Sequence, residues 1–417
     1  MVKKIIYILS NQFYDVNYHT NKHYIAKELD KKNILTLFIN PPTRIKGLKH
    51  ILKTKSIFIK KTKNLYVYTP INFLNLFPFN ILNNLFHKLV IYIFFELKIE
   101  SKNKYKKILW VYHFDFPGLD YFKKLINYNI SIYDCVDSYP DFPQFKDRKQ
   151  EVIKIEKALA KESNIIFTSH PMLFKRFIKI NKNTYYTPNA SNYKEYSIKP
   201  KNNLKVFNKI KSPKILYSGA LDSYKFDITN FLYLAKQLPK VNFCLVGDIN
   251  VTHKDEKMEQ LKNLKNIHLI GQLKQAEKYA HFFNAYIIPY VYSKNNYNGC
   301  RPIKFFNALS TGVPIITTDL PCYFKVKHEG KTINKSYEDL IYIAKYNNVN
   351  YDNIPEEIKL PTKKQKDNFK KDLVKQTLLA IKEDELKKRN LRKKEAQKYT
   401  WSDKVNQQID AINKVKG

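Results

Sequence analysis

Arg301, Lys304 and Asn307 recur at intervals of three residues, a spacing that places them on one face of a helix. A basic side chain beside a helix N-terminus suits a diphosphate, because free backbone N–H groups, the helix dipole and the positive charge act on it together. The alternative for Lys304 is an ordinary lysine that faces solvent. The pattern therefore predicts a phosphate site, with plain surface charge as the competing interpretation.

The surrounding segment carries the start and stop signals of a helix. Pro302 suits the first helical position, and Gly312 suits the C-terminal cap. Pro314 then opens an apolar run that is typical of a buried strand. We therefore expect a helix between Pro302 and Gly312, with the basic residues near its N-terminal end.

Short apolar runs without alternation occur along the whole chain, and helical spacing fills several of the intervals between them. Such runs are typical of strands that are buried on both faces of a parallel sheet. They cover residues 4–9, 34–39, 65–68, 108–113, 130–135, 164–168, 185–187, 214–218, 242–246, 267–270, 285–289 and 314–318. The alternation of strand and helix predicts an α/β fold of doubly wound sheets.

The alternation is interrupted at about residues 192–213, a polar stretch rich in lysine and asparagine, and it restarts at Lys214. This break predicts a linker between two α/β domains of similar size, with a cleft between them. From about residue 362 the chain reads as charged helix, whose lysine-rich faces are most simply solvated surface.

Residues 302–321, PIKFFNALSTGVPIITTDLP, resemble the P-L-K-L-Y-E-Y-L-A-A-G-K-P-V-V-S-T-x-L-P hallmark of family-4-type glycosyltransferases (glycosyl transferases group 1) of bacterial surface polysaccharides. Other motifs follow in the family's order along nearly the whole chain. They are YDCVDS at 133–138, TPNASN at 187–192, YSG at 217–219 with FD at 226–227, FCLVGD at 243–248, IHLIG at 267–271, YIIPY at 286–290 and TWS at 400–402.

The resemblance implies a GT-B fold, in which two Rossmann-like domains hold a nucleotide-sugar in the cleft between them. It assigns residues 1–195 to an acceptor-side domain, 210–385 to a nucleotide-sugar domain, and 386–417 to a helical segment that packs back on the first domain. The nucleotide-sugar would be a co-substrate, and the resemblance implies no cofactor and no bound metal.

The same resemblance suggests which residues meet the donor. Arg301 and Lys304 are the candidates for the leaving diphosphate, and Lys225 could reach the same phosphates because it follows the Gly219 turn and precedes a helix. Asn307 aligns with the family glutamate that usually holds the donor ribose. An amide can still hydrogen-bond a hydroxyl, but without the assistance of a charge.

The chain departs from the family pattern at both ends of a Glu-x7-Glu pair, because Gly299 aligns with the first glutamate and Asn307 with the second. Ala190 also stands where relatives have the glycine of a P-N-G motif. These departures raise the alternative that the protein is a non-catalytic GT-B scaffold or binding subunit of a glycan-assembly complex.

Three first-domain residues are candidates for the reaction itself. His113 ends the run ILWVYH and should sit at the carboxyl edge of the sheet, where relatives place a histidine near the donor sugar. Asp137 matches the family motif and could orient an acceptor hydroxyl or act as a base. His23 opens the first helix and could touch acceptor or donor. Each has a structural alternative, namely a hydrogen-bonded core histidine or a capping aspartate.

The composition limits the possible partners. The chain has 74 Lys+Arg against 37 Asp+Glu, a formal net charge of +37, which AT-rich codon usage or attraction to a polyanion could explain. No RNP, helix-turn-helix or zinc-finger pattern accompanies the charge, so we expect no specific nucleic-acid partner. The 4 cysteines form no C-x-x-C pair, and the first ten residues lack the features of a secretion signal, which favours the reducing cytoplasm.

The apolar segment at about 70–100 has two interpretations. It could form helices buried under the first sheet, or it could dock the first domain on the anionic inner face of the cytoplasmic membrane.

Together with the family resemblance, the sequence predicts a cytoplasmic, nucleotide-sugar-dependent enzyme. The resemblance implies that it glycosylates a glycan or lipid-linked acceptor of a surface polysaccharide or capsule, with retention of configuration.

Overall fold

In a computed structural model of the chain, the structure describes residues 3–44, 57–72, 81–98, 105–248, 256–346, 355 and 358–415. Within them the strands form one sheet of eight strands, one of six, and two small pairs. The two large sheets occupy the first and second halves of the chain, so the predicted pair of α/β domains is confirmed as a fold class.

The first sheet has the strand order β10-β9-β8-β7-β1-β2-β5-β4, and every neighbouring pair is parallel except β4 with β5. Its strands are β1 (Lys3–Leu9), β2 (Leu35–Ile39), β4 (Phe58–Lys60), β5 (Leu65–Tyr68), β7 (Tyr105–Val111), β8 (Ile130–Cys135), β9 (Ile165–Thr168) and β10 (Thr184–Tyr186). The short strands β3 (Thr43–Arg44) and β6 (Ile71–Asn72) pair beside it.

The second sheet has the order β13-β12-β11-β14-β15-β18 and is parallel throughout. Its strands are β11 (Lys214–Ser218), β12 (Asn242–Val246), β13 (Ile267–Gly271), β14 (Ala285–Ile288), β15 (Ile315–Thr318) and β18 (Tyr342–Ala344). An antiparallel hairpin of β16 (Val326–His328) and β17 (Lys331–Asn334) precedes β18.

Helices connect the strands and cover the sheets. In chain order they are α1 (Asn21–Lys31), α2 (Ile81–Phe94), α3 (Leu119–Leu125), α4 (Lys149–Glu162), α5 (Pro171–Ile178), α6 (Tyr193–Tyr196), α7 (Lys205–Asn208), α8 (Ile228–Gln237), α9 (Glu256–Lys262), α10 (Lys294–Gly299), α11 (Ile303–Thr311), α12 (Lys363–Lys382), α13 (Leu386–Ala396) and α14 (Trp401–Lys414). Five 3-10 turns cover Glu96–Lys98, Tyr139–Asp141, Pro143–Arg148, Ala276–Phe282 and Pro321–Tyr323.

The central strands are buried because both of their faces carry apolar side chains. On β1, Ile5 to Leu9 are all fully buried, with Ile6 and Ile8 in one core and the alternate residues in another. A strand that packs on both faces must be apolar at every position, which is why these runs do not alternate. The predicted runs all contain strands, whereas the short edge strands β3, β4 and β6 and the last three strands were not predicted.

The C-terminal helices cross from the second domain to the first. α12 packs on β15 and β18, and α13 packs on α11. α14 packs on α1 and β9 of the first domain, and Trp401 stacks on Tyr24 with ring centroids 4.6 Å apart. Just before this helix, the Tyr399 carbonyl oxygen accepts from the Ser191 backbone N–H at 2.9 Å. The start of the predicted 386–417 segment, α13, is held on the second domain by Arg392, whose guanidinium donates to the backbone of Leu340 and Gly312.

Part of the apolar segment at 70–100 lies outside the described residues, namely 73–80 and 99–100. The described part forms α2, which is neither fully buried nor fully exposed. Among the described helices, none is long and apolar enough to cross a membrane.

Candidate functional site

A cleft of about 850 Å³ lies between the two domains, at the carboxyl ends of both sheets. The loops after β1 and β8 form the wall on the first domain, and those after β11, β12 and β13 face them from the second domain together with the start of α11. Parallel strands end at the same edge of a sheet, so the loops that follow them converge on one site.

Lys304 and Gly219 meet at the floor of this cleft. Gly219 follows β11 with φ of 132°, and a β-carbon built on it would collide with the Lys304 ammonium group. That ammonium lies 4.5 Å from the centre of the Tyr217 ring and 5.6 Å from that of Tyr290. Within the described part of the chain it has no hydrogen-bond acceptor and no ion-pair partner. Its position therefore leaves the positive charge free to bind an anion in the cleft.

The surroundings of Lys304 lower its affinity for a proton. The pKa of Lys304 is lowered to about 8, chiefly by burial; the Glu277 carboxylate opposes this lowering and the positive charge of Lys225 adds to it. A bound diphosphate would add negative charge beside the ammonium and raise its pKa again. The charged form of Lys304 is therefore more stable with an anion bound beside it than in the empty cleft.

Lys225 brings a second ammonium to the same cleft from the loop between β11 and α8. Burial alone would lower its pKa, but the negative charge of Asp137 across the cleft, with smaller contributions from its neighbours, raises it above the ordinary value. Among the described residues its ammonium has no hydrogen-bond acceptor and no ion-pair partner within 4.0 Å, and it lies 5.6 Å from the ring centre of Tyr224. Lys225 therefore stays charged near neutral pH.

Asp137 is half-buried at the carboxyl end of β8 and borders the cleft from the first domain. Burial raises the pKa of Asp137, whereas the positive charges of Lys225 and Lys22 act in the opposite direction. The structure thus brings one predicted carboxyl group of the first domain and two predicted ammonium groups of the second to a single cleft.

Residues 212–341 match the family model described as Glycosyl transferases group 1. That range contains Gly219, Lys225 and Lys304. The chain therefore has the GT-B fold, and residues 212–341 are similar to the group 1 glycosyltransferases. No curated protein sequence matches it.

Solved structures support the GT-B fold over nearly the whole chain. Sucrose-phosphate synthase from Thermosynechococcus elongatus superposes with a TM-score of 0.64 at 13% identity, covering 99% of this chain and 98% of that one. Anabaena HepE in complex with UDP-glucose gives 0.61 at 12% identity, covering 99% and 100%. WaaG, a glycosyltransferase of lipopolysaccharide biosynthesis, gives 0.58 at 12% identity, also covering 99% and 100%.

Asn307 lies one turn after Lys304 on α11, and it borders the cleft although it is only 5% exposed. Gly299 is buried at the end of α10, where the second domain meets the first. Thus neither position of the family's glutamate pair offers a carboxylate in this chain.

Arg301 borders the cleft, and its predicted contact with the leaving diphosphate stays a prediction. Its guanidinium, however, is occupied by other partners. It donates to Asn334 at 2.6 Å and to the Tyr337 hydroxyl at 2.9 Å, and neither of these residues borders the cleft. It also lies 5.0 Å from the Phe306 ring centre. The residue is 2% exposed, so its charge is used to hold the hairpin of β16 and β17 against α11.

His23 does not border the cleft. It is completely buried, its Nε2 lies 2.9 Å from the Phe13 carbonyl oxygen, and its Nδ1 accepts from the Thr20 backbone N–H at 3.1 Å. Burial lowers the pKa of His23 to about 4. His19, stacked on it at 5.0 Å, borders the cleft instead. The helix that His23 opens turns it inward, so the prediction of substrate contact is corrected.

His113 sits at the expected sheet edge but is turned away from the cleft lining. Its Nδ1 accepts from the Asp115 backbone N–H at 3.1 Å, and its ring packs 4.4 Å from that of Tyr139. Burial, with the nearby charge of Lys22, lowers the pKa of His113 to about 4. A neutral, packed imidazole of this kind supports the loop, so the structure does not bring His113 to the reacting groups.

Glu277 is the cleft residue that sequence reasoning missed. It follows β13, and its carboxylate accepts a hydrogen bond from the Ser218 hydroxyl and acts electrostatically on Lys304. The available signal was its position after a predicted strand, at the sheet edge shared with Gly219 and Lys225.

Among the described residues, no group of three or more His, Cys, Asp or Glu side chains is arranged to hold a metal ion.

Proposed function

We propose that this glycosyltransferase moves a sugar from a nucleotide-sugar to a glycan or lipid-linked acceptor in the biosynthesis of a cell-surface polysaccharide such as a capsule. The observation that carries the proposal is the pair of unpaired ammonium groups, Lys225 and Lys304, at the Gly219 turn. Two positive charges at one turn suit a diphosphate better than they suit a neutral ligand.

The reaction explains why the charges would lie there. The bond between the sugar C1 and the diphosphate oxygen breaks, and its electron pair leaves with that oxygen. The acceptor hydroxyl oxygen bonds to C1 and gives up its proton. Lys225 and Lys304 would stabilise the negative charge that develops on the leaving diphosphate. We infer retention of anomeric configuration from the family resemblance alone.

Support for a nucleotide-sugar also comes from HepE, whose solved structures contain UDP or UDP-glucose. By analogy, the second domain would hold the nucleotide, with Asn307 one helical turn from the phosphate-binding Lys304. An asparagine can donate to and accept from ribose hydroxyls, although each bond is weaker than one to a carboxylate.

The first domain presents an apolar surface that suits a lipid-linked acceptor. Leu85, Leu89 and Ile93 recur at four-residue intervals on α2, and their exposed fractions are 64%, 52% and 41%. Lys88 is exposed beside them, and the whole chain carries a net charge of +37. Apolar side chains flanked by positive charge favour the surface of an anionic membrane. We therefore propose peripheral association with the inner face of the cytoplasmic membrane.

A second candidate function is a non-catalytic scaffold or binding subunit of a glycan-assembly complex. The observation that favours it is the lack of a carboxylate at both Gly299 and Asn307. A scaffold could keep the nucleotide site without turning it over, so ligand binding and transfer must be measured separately.

The deciding experiment titrates the protein with a panel of UDP-, GDP-, CDP- and dTDP-sugars by calorimetry and then assays hydrolysis or transfer. Lys304→Ala should weaken the best ligand by about 1.5–3 kcal/mol, the effect of losing a hydrogen bond to a charged group. Binding with turnover supports the enzyme, and binding without turnover supports the scaffold. A folded protein that binds none of the panel would refute both nucleotide-dependent functions.

A further inference from the structure

The short helix α10 brings the second domain against the first at one edge of the cleft. Gly299 ends this helix, and a β-carbon built on it would collide with the backbone nitrogen of Ser138. A main-chain atom cannot turn aside as a flexible side chain can. One residue earlier, the Asn298 amide donates to the Asp141 carboxylate at 2.8 Å. Position 299 therefore admits no side chain while the domains have this arrangement.

The residue that precedes Ser138 is Asp137, whose side chain borders the cleft. Asp137 lines the same cleft as Lys225 and Lys304, and its negative charge raises the pKa of Lys225. The first domain thus contributes the carboxyl group of Asp137 near Gly299, the position at which the second domain has no carboxylate.

A sugar attached to a diphosphate at Lys225 and Lys304 must extend from these ammonium groups into the remaining cleft. Asp137 and Glu195 are acids of the first domain that border this cleft. Glu195 is already paired with Lys278 at 3.6 Å, whereas Asp137 has no ion pair within 4.0 Å among the described residues. Asp137 is therefore the better placed of the two to accept hydrogen bonds from sugar hydroxyls.

We propose that Asp137 binds a hydroxyl of the transferred sugar, so that a carboxyl group of the first domain replaces the one that the second domain lacks at position 299. This inference rests on the proposed function, since it assumes a nucleotide-sugar in the cleft. The second domain would bind the nucleoside diphosphate by itself, and the sugar would be recognised only when the first domain has closed on Gly299.

The test compares two ligands, the nucleotide-sugar that binds best in the panel and its own nucleoside diphosphate. Asp137→Ala should lower the affinity for the nucleotide-sugar roughly tenfold or more relative to the diphosphate, because only the sugar loses its acceptor. Affinity for the diphosphate should hold or rise, since a negative charge near Lys225 is removed. Asp137→Asn keeps the shape and should give a smaller loss.

Gly299→Ala provides a second route to the same site without altering Asp137. Its β-carbon must push the backbone of Ser138 away, so it should reduce the preference for the nucleotide-sugar and spare the diphosphate. Glu195→Gln is the matched control, because it removes another carboxylate of the same wall and should leave the preference unchanged.

The outcomes separate this inference from the proposed function. An unaltered protein that binds neither ligand overturns the proposed function. Normal binding of both ligands by Asp137→Ala, or equal loss of both by a variant whose thermal melting is unchanged, overturns the role of Asp137. If Asp137→Ala does not fold, the Gly299→Ala variant decides the question. If this variant keeps the same affinity for the nucleotide-sugar relative to the nucleoside diphosphate as the unaltered protein, the proposed recognition of the sugar by the first domain is overturned.

Discussion

The ammonium group of Lys304 occupies the space that a β-carbon on Gly219 would need. Residue 219 therefore has to lack a side chain so that Lys304, 85 positions later, can place its charge at the end of β11. The proposed phosphate site therefore depends on both residues, and neither would form it alone.

Gly219→Ala tests this relationship. The new methyl group should displace the flexible Lys304 side chain and weaken nucleotide-sugar binding, and the backbone strain at φ of 132° should cost about 1–3 kcal/mol of stability. Gly330→Ala is the control for strain, since Gly330 also has a positive φ, 74°, but a β-carbon built on it would meet nothing within 4 Å. Calorimetry and thermal melting of both variants separate the two effects. Equal ligand affinities in the two variants would contradict the pairing.

Binding of the nucleotide-sugar should depend on pH through Lys304. Its pKa is about 8 in the empty cleft, and an anion prefers the protonated form, so affinity should be highest below pH 8 and fall as the pH rises through that value. Lys225 should not contribute in this range, because its pKa is raised. The measurement is calorimetry at a series of pH values with the nucleotide-sugar as ligand. Lys304→Arg keeps a fixed charge and should remove the inflection; an unchanged inflection in this variant would assign it to another group.

Arg301→Ala should act mainly on stability. The substitution leaves the Asn334 and Tyr337 partners without their donor, so we expect a loss of about 2–4 kcal/mol in the free energy of unfolding, measured by denaturant titration. Arg148→Ala is the control, because this exposed residue forms a surface ion pair with Glu151, and its loss should leave the free energy of unfolding nearly unchanged. A selective loss of nucleotide affinity at full stability would instead assign Arg301 to the phosphate site.

The apolar face of α2 should bind anionic vesicles. Leu89→Glu removes buried apolar contact with the membrane and adds a charge that anionic lipid repels, so partitioning onto vesicles that contain anionic phospholipid should fall roughly tenfold or more. Sedimentation with vesicles measures it. Leu386→Glu is the matched control, since Leu386 is 71% exposed on α13 of the second domain and should leave partitioning unchanged. Equal effects of both changes would indicate nonspecific charge and no docking face.

The sequence by itself determined twelve strands, namely β1, β2, β5 and β7 to β15, and the two-domain fold, because a strand that is buried on both faces is a continuous apolar run. It did not predict β3, β4, β6, β16, β17 or β18. It also predicted Lys304 and Lys225 as phosphate-binding residues, and both reach the cleft, because their positions after predicted strands and at a helix start fix where their backbone lies.

Tertiary structure decided what each side chain meets. Arg301 and Lys304 are three residues apart, yet Asn334 and Tyr337 take the guanidinium while the ammonium stays free. His23 and His113 are predicted at the right ends of their elements but turn into packed surroundings. The meeting of Gly299 with Ser138 depends on a contact between residues 161 positions apart, and no local pattern encodes such a distance. Backbone course follows from local burial and turn signals, whereas the partners of a charged side chain follow from what the rest of the chain brings beside it.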